Sequence, residues 1–210
     1  MMLGLGSYRD TARLSASRAE HMTGLEFTVI ERPPKDFPPD EFLGYVKLAL
    51  FDLVDADRVL YLDADTVVLR PWDLAALSDR DEFVCVRDQF IGLYPNYDVD
   101  IPRPHYFNTG VFIANRKSHE PLFDFASRLW RSGTLSLPIE DQSALNYAVR
   151  ALRTPVHLLP DEFNYLRAHL DGRDTNDRVV VAHYTPSGIE FAHRKLVELA
   201  VDQHDDNVPP

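Results

Sequence analysis

Apolar positions along this chain follow two rhythms that take turns. Short runs rich in β-branched and aromatic residues predict strands: "MLGLG" (2–6), "LEFTVIE" (25–31), "VLYL" (59–62), "EFVCVRD" (82–88), "FNTGVFIAN" (107–115), "PVHLL" (155–159) and "RVVVAHY" (178–184). Between them, longer stretches repeat their apolar residues every three or four positions and predict helices. These are "YRDTARLSASRAEHMTG" (8–24), stopped by Gly24; "DEFLGYVKLALFDLV" (40–54), with Asp40 as N-cap; a short "RPWDLAAL" (70–77); "HEPLFDFASRLWRSG" (119–133); "EDQSALNYAVR" (140–150); and a last helix near 189–201. Strand–helix alternation of this kind predicts an α/β fold, a mostly parallel central sheet with helices on both faces. "RPPKDFPP" (32–39) reads as a proline-rich loop, and "DDNVPP" (205–210) as a loose tail after one domain over 1–204.

Length and composition narrow the function classes. The 210 residues suffice for one domain with a proper core, and no segment approaches the roughly 20 apolar residues of a membrane span. The opening "MMLGLGSYRD" becomes charged too early for a signal peptide. Cys85 is the one cysteine, so a disulfide framework is excluded and a reducing, cytoplasmic setting is expected; its alternating neighbours make it a core thiol. A formal net charge of −11 argues against nucleic-acid partners. An anionic ligand would need local positive charge, from a metal ion or from a few basic side chains.

The chemistry begins where the apolar run 59–62 ends in Asp63-Ala64-Asp65. On extended backbone, side chains two apart point the same way, so both carboxylates are expected to face one spot. Like charges that close repel unless a cation or a proton lies between them. Three readings follow. The pair clamps a divalent metal; or Asp63 is a nucleophile, as in the haloacid dehalogenase-like phosphatases whose DxDxT signature the stretch resembles; or it is a turn carrying two solvated acids. In α/β sheets, ligands bind beyond the carboxyl ends of the strands. Gly6 and Tyr8 lie at such an end, the glycine permitting close backbone approach and the tyrosine offering a ring to a base. His183 ends another strand, as a metal ligand or as a structural residue. Two carboxylates and one imidazole suit Mn²⁺, or Mg²⁺, and the lack of thiolates argues against structural zinc.

Taken in order, several stretches resemble the glycogenin-like, family-eight retaining glycosyltransferases, which have a GT-A (Rossmann-like) fold and use nucleotide-diphosphate sugars. They are the short first strand with Tyr8, "GYVKLALFDLVDADRVLYLDADTVVLRPWDLAAL" (44–77), "FNTGVFIAN", "EDQSALN" (140–146), "LPDEFN" (159–164) and "AHYTPSG" (182–188). The resemblance implies that Asp65 and His183 bind Mn²⁺ and that Asp63 bridges metal and donor ribose. It implies that Lys47 reaches the donor, and that Asn108 and the pair Asp141-Gln142 grip the sugar and flank its anomeric carbon. Gly6, Tyr8 and Gly188 complete the expected donor site, the donor being a UDP-hexose. Each residue also has a bland reading: Lys47 as a solvated helix face, Asn108 as a strand-bulge residue, Asp141 as an acid favoured by a helix N-terminus.

The chain departs from the family after His183. Family members often carry glycine three residues on and lysine six on; here those positions are Pro186 and Ile189, and Gly188 comes five residues after the histidine. The nearest basic residues are His193, Arg194 and Lys195. The stretch "DQFIGLYPNYDVDIPRPHY" (88–106) is long and aromatic enough to choose an acceptor, with Tyr94, Tyr97 and Tyr106 either stacking on sugar rings or packing the loop on itself. No motif names the acceptor, whether a sugar, a lipid-linked sugar or a protein. A non-catalytic sugar-nucleotide binder is the remaining alternative, and retention of Asp63, Asp65 and His183 argues against it.

Overall fold

The computed structural model describes residues 1–38, 42–77, 80–91, 101–133, 139–166, 178–185 and 188–205. Six strands form the central sheet: β1 (Met2–Leu3), β2 (Val29–Ile30), β3 (Arg58–Leu62), β5 (Phe83–Arg87), β6 (Phe107–Asn115) and β7 (Val156–Leu159). Their order is β2-β1-β3-β6-β5-β7. All neighbours pair in parallel except β6, which runs antiparallel to both β3 and β5. The sheet is therefore mostly parallel, as the alternation predicted. The reversed strand is the one that carries "FNTG".

Alternation along the strands splits the core in two. Val59 and Tyr61 of β3, Phe83 and Cys85 of β5, and Phe107, Phe112 and Ala114 of β6 face one side. Leu60, Leu62, Val84, Val111 and Ile113 face the other. The first side is covered by α2 (Leu50–Leu53), α3 (Arg116–Ser132) and α4 (Glu140–Leu152), which contribute Leu50, Phe51, Leu122, Phe123, Ala144, Leu145 and Ala148. Tyr61 stacks on Phe112 there, ring centroids 4.7 Å apart. The second side is covered by α1 (Arg9–Thr23), which lays down the small residues Ala12, Ala16 and Ala19 so that helix and sheet approach closely. Gly24 ends α1 at φ 71°, as the sequence predicts. Burial pushes the Cys85 thiol well above its ordinary pKa, as befits a core thiol.

Three local expectations are corrected. Residues Leu43–Ala49 form a 3-10 helix, followed by the single turn of α2, where a continuous α-helix was expected; Asp40 lies outside the described residues. The apolar spacing alone does not separate the two helix types, and the tighter winding has a tertiary cause given below. Second, β3 stops at Leu62, and the chain turns at once: Thr66 donates to the Asp63 carbonyl oxygen through its backbone N–H (3.1 Å) and its hydroxyl (2.7 Å). Asp63 and Asp65 are brought together by this turn rather than by the pleat of a strand, while Ala64 is buried in the second core layer. Third, the strand expected in "RVVVAHY", β8 (Val181–His183), stands outside the central sheet and pairs antiparallel with β4 (Thr66–Val68), Thr66 opposite His183. This ribbon packs on α5 (Ile189–Asp205) through Val67, Ala182, Ala192 and Leu196. No helix among the described residues is long and apolar enough to cross a membrane.

Candidate active site

The site lies where β3 ends, between the 3-10 helix, the start of α4 and the β4–β8 ribbon. Its floor is a register jump in the sheet: on β6 the partner of Cys85 is Phe112, but the partner of Val86 is Asn108. A bulge of this kind re-aims side chains and is common beside active sites. Here it frees Thr109 and Gly110 from β5, and the Gly110 carbonyl accepts the Asp63 N–H at 2.8 Å. A Cβ on Gly110 would sit 2.2 Å from His183 Cε1 and 2.9 Å from Asp63 Oδ2, so glycine is what lets the imidazole lie against this backbone.

One end of the site is ionic. Lys47, buried, has its Nζ 3.1 Å from Asp63 Oδ1, 3.1 Å from Asp141 Oδ2 and 3.3 Å from the Thr109 carbonyl oxygen. Tyr61 donates its hydroxyl to Asp63 Oδ1 at 2.7 Å, and Thr109 Oγ1 donates to Asp141 Oδ2 at 3.0 Å. Burial acts to lower the Lys47 pKa, but the Asp141 and Asp63 carboxylates outweigh it and hold the ammonium above its ordinary value. Burial and Asp63 also raise the Tyr61 phenol well above its usual range. The 3-10 winding serves this end: residues three apart eclipse in such a helix, which directs both Gly44 and Lys47 at Asp141. At Gly44 a Cβ would meet the Phe42 ring at 2.3 Å and Asp141 Oδ1 at 2.8 Å. Glu140, immediately before Asp141, takes φ +46°, a conformation costly for a non-glycine residue and concentrated at functional sites.

The other end is a chain of neutral amides. His183 Nδ1 and Asn164 Oδ1 are 2.8 Å apart; Asn164 Nδ2 donates to Asn108 Oδ1 at 2.8 Å; Asn108 Nδ2 donates to Gln142 Oε1 at 2.8 Å; and Gln142 Nε2 donates to Asp88 Oδ2 at 2.7 Å. Asp88 Oδ1 also accepts the Phe90 N–H. Burial raises the Asp88 pKa, with the Gln142 and Phe90 hydrogen bonds pulling it back.

Between the two ends, Asp63, Asp65 and His183 each offer one ligand atom within 4.8 Å of the others. His183 Nε2 is 3.2 Å from Asp65 Oδ1 and 3.9 Å from Asp63 Oδ2. Burial alone would raise Asp65 and lower His183; the attraction between them prevails, depressing the carboxyl and raising the imidazole. Asp63 and Asp141 contact the Lys47 ammonium while Asp65 lies against His183, a concentration of negative charge that a divalent cation would relieve, and the donor set suits an oxygen- and imidazole-binding ion.

Of the other residues singled out by sequence, Tyr8 is half-exposed, and burial followed by the Asp65 and Asp63 charges raises its pKa. Gly6 takes φ +58° in the 3-10 turn (Gly6–Tyr8) that leads into α1. Gly188 starts α5, where a Cβ would collide with the Tyr184 carbonyl oxygen. The basic residues beyond it are engaged on α5: His193 with Thr11 (3.2 Å), Arg194 over the Phe191 ring, Lys195 with Glu198. Pro186, Tyr94 and Tyr97 lie outside the described residues. Tyr106 is buried with its hydroxyl 3.2 Å from Ser143 Oγ, so it packs the core and offers no face to a sugar. The sequence reading gave no role to Tyr61, Asp88, Thr109 or Asn164. Tyr61 had a signal, being two residues before Asp63 on the same strand face.

The profile of glycosyl transferase family 8 matches residues 41–188. The chain belongs to that family. In structure this glycosyltransferase is similar to the galactosyltransferase LgtC, solved with donor and acceptor sugar analogs, at TM-score 0.67 and 19% identity over 96% of this chain and 94% of that one. It is also similar to GlyE of Streptococcus pneumoniae TIGR4, at TM-score 0.62 and 16% identity over 97% and 62% of the two chains. A glycosyltransferase involved in glycosylation of the major capsid of PBCV-1 matches at TM-score 0.63 and 13% identity over 94% and 98%. At such identities the likeness shows the fold, which is GT-A. No curated protein matches the chain. The phosphatase reading falls with the family assignment.

Proposed function

We propose that this family 8 glycosyltransferase moves a hexose from a UDP-sugar to an acceptor with retention of anomeric configuration, using Mn²⁺ or Mg²⁺ held by Asp63, Asp65 and His183. Residues 1–204 act as one transferase domain, in the cytoplasm. The observation that carries the reading is the meeting of those three ligand atoms within 4.8 Å, beside Lys47 and Asp141. A divalent ion bound there supplies Lewis-acid charge for the departing diphosphate.

The chain's own groups do the rest. Breaking the anomeric carbon–phosphate oxygen bond builds positive charge on the sugar; the acceptor oxygen forms the new bond and its proton leaves with the diphosphate. Lys47 and Thr109 hold the Asp141 carboxylate by Oδ2, which leaves Oδ1, beside Gly44, as the oxygen to face the sugar. That oxygen stabilises the positive sugar. Gln142 Oε1 already accepts from Asn108 Nδ2 and from the Thr109 N–H (3.2 Å), so both its lone pairs are used; Gln142 positions its neighbours and is not the nucleophile. The exposed Tyr8 ring receives the uracil, next to the backbone of Gly6. Asn108 and Lys47 bound the hexose, and Gly188 lets α5 start close to the diphosphate.

With Mn²⁺ and a panel of UDP-hexoses, purified protein should release UDP slowly even without acceptor, water taking its place. Asp65→Ala should abolish the release. Release that survives Asp65→Ala, or survives chelation of the metal, would sink the proposal.

A further inference from the structure

The amide chain beside His183 has a direction, and the direction can be read without assuming any side-chain amide orientation. Amide oxygen and nitrogen are normally told apart only by their partners. Two partners here are backbone N–H groups, which can only donate. Gly110 N–H points at one atom of the Asn108 amide at 2.8 Å, so that atom is the oxygen; Thr109 N–H points at one atom of Gln142 at 3.2 Å, which is likewise the oxygen. The rest follows by alternation. The same Asn108 oxygen lies 2.8 Å from Asn164, which must present its NH₂ there. Asn164 therefore turns its oxygen to His183 Nδ1, and an oxygen at 2.8 Å requires a proton on Nδ1. At the far end, the Gln142 NH₂ meets Asp88, a carboxylate that accepts through both its oxygens.

We propose that Asn164 is the positioning residue of the metal site. Held by Asn108, with Gln142 and Asp88 behind it, it keeps a proton on His183 Nδ1, so that when the imidazole gives up the proton it shares with Asp65 across 3.2 Å, it is Nε2 that is left bare toward Asp63 and Asp65. This rests on the metal-clamp reading above for its purpose, though not for its geometry. Asn164 is fully buried and touches neither carboxylate of the site, so its contribution passes through the imidazole. Ligating histidines are commonly oriented in this way by a partner on the other ring nitrogen, and losing that partner typically lowers metal affinity by about 10–100-fold. Here the partner is a neutral amide whose own orientation is dictated by backbone, which makes the tautomer a property of the fold.

Two measurements on full-length protein decide the matter. ¹⁵N spectra of the imidazoles in metal-free protein, at a pH where His183 is neutral, should show it protonated on Nδ1; Asn164→Leu should lose that bias. Titration with Mn²⁺ alone, followed by the EPR signal of the free ion, should show affinity about 10–100-fold weaker in Asn164→Leu. Asn164→Asp guards against a mere folding effect. Its carboxylate still accepts from Nδ1 but opposes the Asn108 oxygen, so it should melt lower than wild type and yet bind Mn²⁺ more tightly than Asn164→Leu. Protonation on Nε2 in wild type, equal Mn²⁺ affinity in wild type and Asn164→Leu, or affinities that simply follow the melting temperatures would overturn the proposal. The two ideas fail separately: wild type that binds no Mn²⁺ but shows the Nδ1 tautomer, lost in Asn164→Leu, ends the metal reading and leaves the orientation by Asn164 standing.

Discussion

Lys47 and Asn164 stand at opposite ends of one pair of carboxylates, and they hold it by different physics. At the Lys47 end, a buried ammonium is shared by Asp63 and Asp141, with Tyr61 and Thr109 filling the remaining positions. At the Asn164 end, no charge is needed until the chain reaches Asp88; Asn108 and Gln142 take their directions from backbone N–H groups, and Asn164 takes its own from Asn108. An ion cluster is tolerant of angle and strong in a low-dielectric setting, but it collapses if one partner is removed, because the others are left buried and unpaired. A chain of amides contributes less per bond and fixes geometry instead. The lesson is a division of labour: the ionic end holds the carboxylates together before any ligand arrives, and the amide end sets the angle from which the imidazole approaches them.

The contrast is broken most strongly at the ionic end. Lys47→Met leaves Asp63 and Asp141 facing each other without their cation, and should cost about 3–5 kcal/mol of stability. With roughly 2–4 °C per kcal/mol for a domain of this size, melting should fall by at least about 6 °C, and adding Asp141→Asn should restore part of it. An unchanged melting temperature in Lys47→Met would mean the ion cluster is not what holds this end.

A smaller effect is expected where the two ends touch. Gly110→Ala puts a methyl group 2.2 Å from His183 Cε1 and 2.7 Å from Nδ1, against a ring held by Asn164. Overpacking of this kind costs about 1–3 kcal/mol, and Mn²⁺ affinity should fall as well, because the ring cannot yield without leaving its partner. Calorimetric titration of the variant checks this; wild-type affinity would show that the ring is free to move.

The mildest perturbation is pH. Burial acts to lower the His183 pKa, but Asp65 and Asp63 outweigh it and raise it above its ordinary value of about 6.5, so at that pH the metal-free imidazole is mostly protonated and Mn²⁺ must displace the proton. Affinity should therefore climb toward about tenfold per pH unit below 6.5, still be rising at 6.5, and level off only above that value, where the proton is already gone. A plateau reached below pH 6.5, or a flat profile, would contradict the pairing of His183 with Asp65.

How much of this was legible beforehand depends on how local each feature is. "FNTGVFIAN" reads as a strand over 107–115 and β6 covers Phe107–Asn115, because alternation and β-branching are properties of the segment itself. Gly24 was equally readable, since a left-handed stop needs only glycine at one position. The reversal of β6 was not, because a strand's direction depends on neighbours elsewhere in the chain. The 3-10 helix at 43–49 was hidden for the same reason: its apolar spacing permits an α-helix, and the tighter winding answers to Asp141, far along the chain. Asp63, Asp65 and His183 were visible as acids and an imidazole at strand ends. Asn164 and Asp88 were not, since an amide or an acid in a connecting segment carries no pattern until its partners are known.

The β4–β8 ribbon gives the Asp63–Asp65–His183 cluster a place in time. More than a hundred residues separate Asp65 from His183, and closing so long a loop costs chain entropy on the order of 4 kcal/mol. Three residue pairs of ladder are all the ribbon has of its own, from Thr66 with His183 to Val68 with Val181. The remaining support comes from α5, whose Ala192 and Leu196 cover Val67 and Ala182. His183 lies far along the chain from both acids, and the short ladder that brings it to the carboxylates depends on the helix that follows it. A chain in which that helix has not docked holds its acids and its lysine without the imidazole, so the three-residue cluster is a late product of folding.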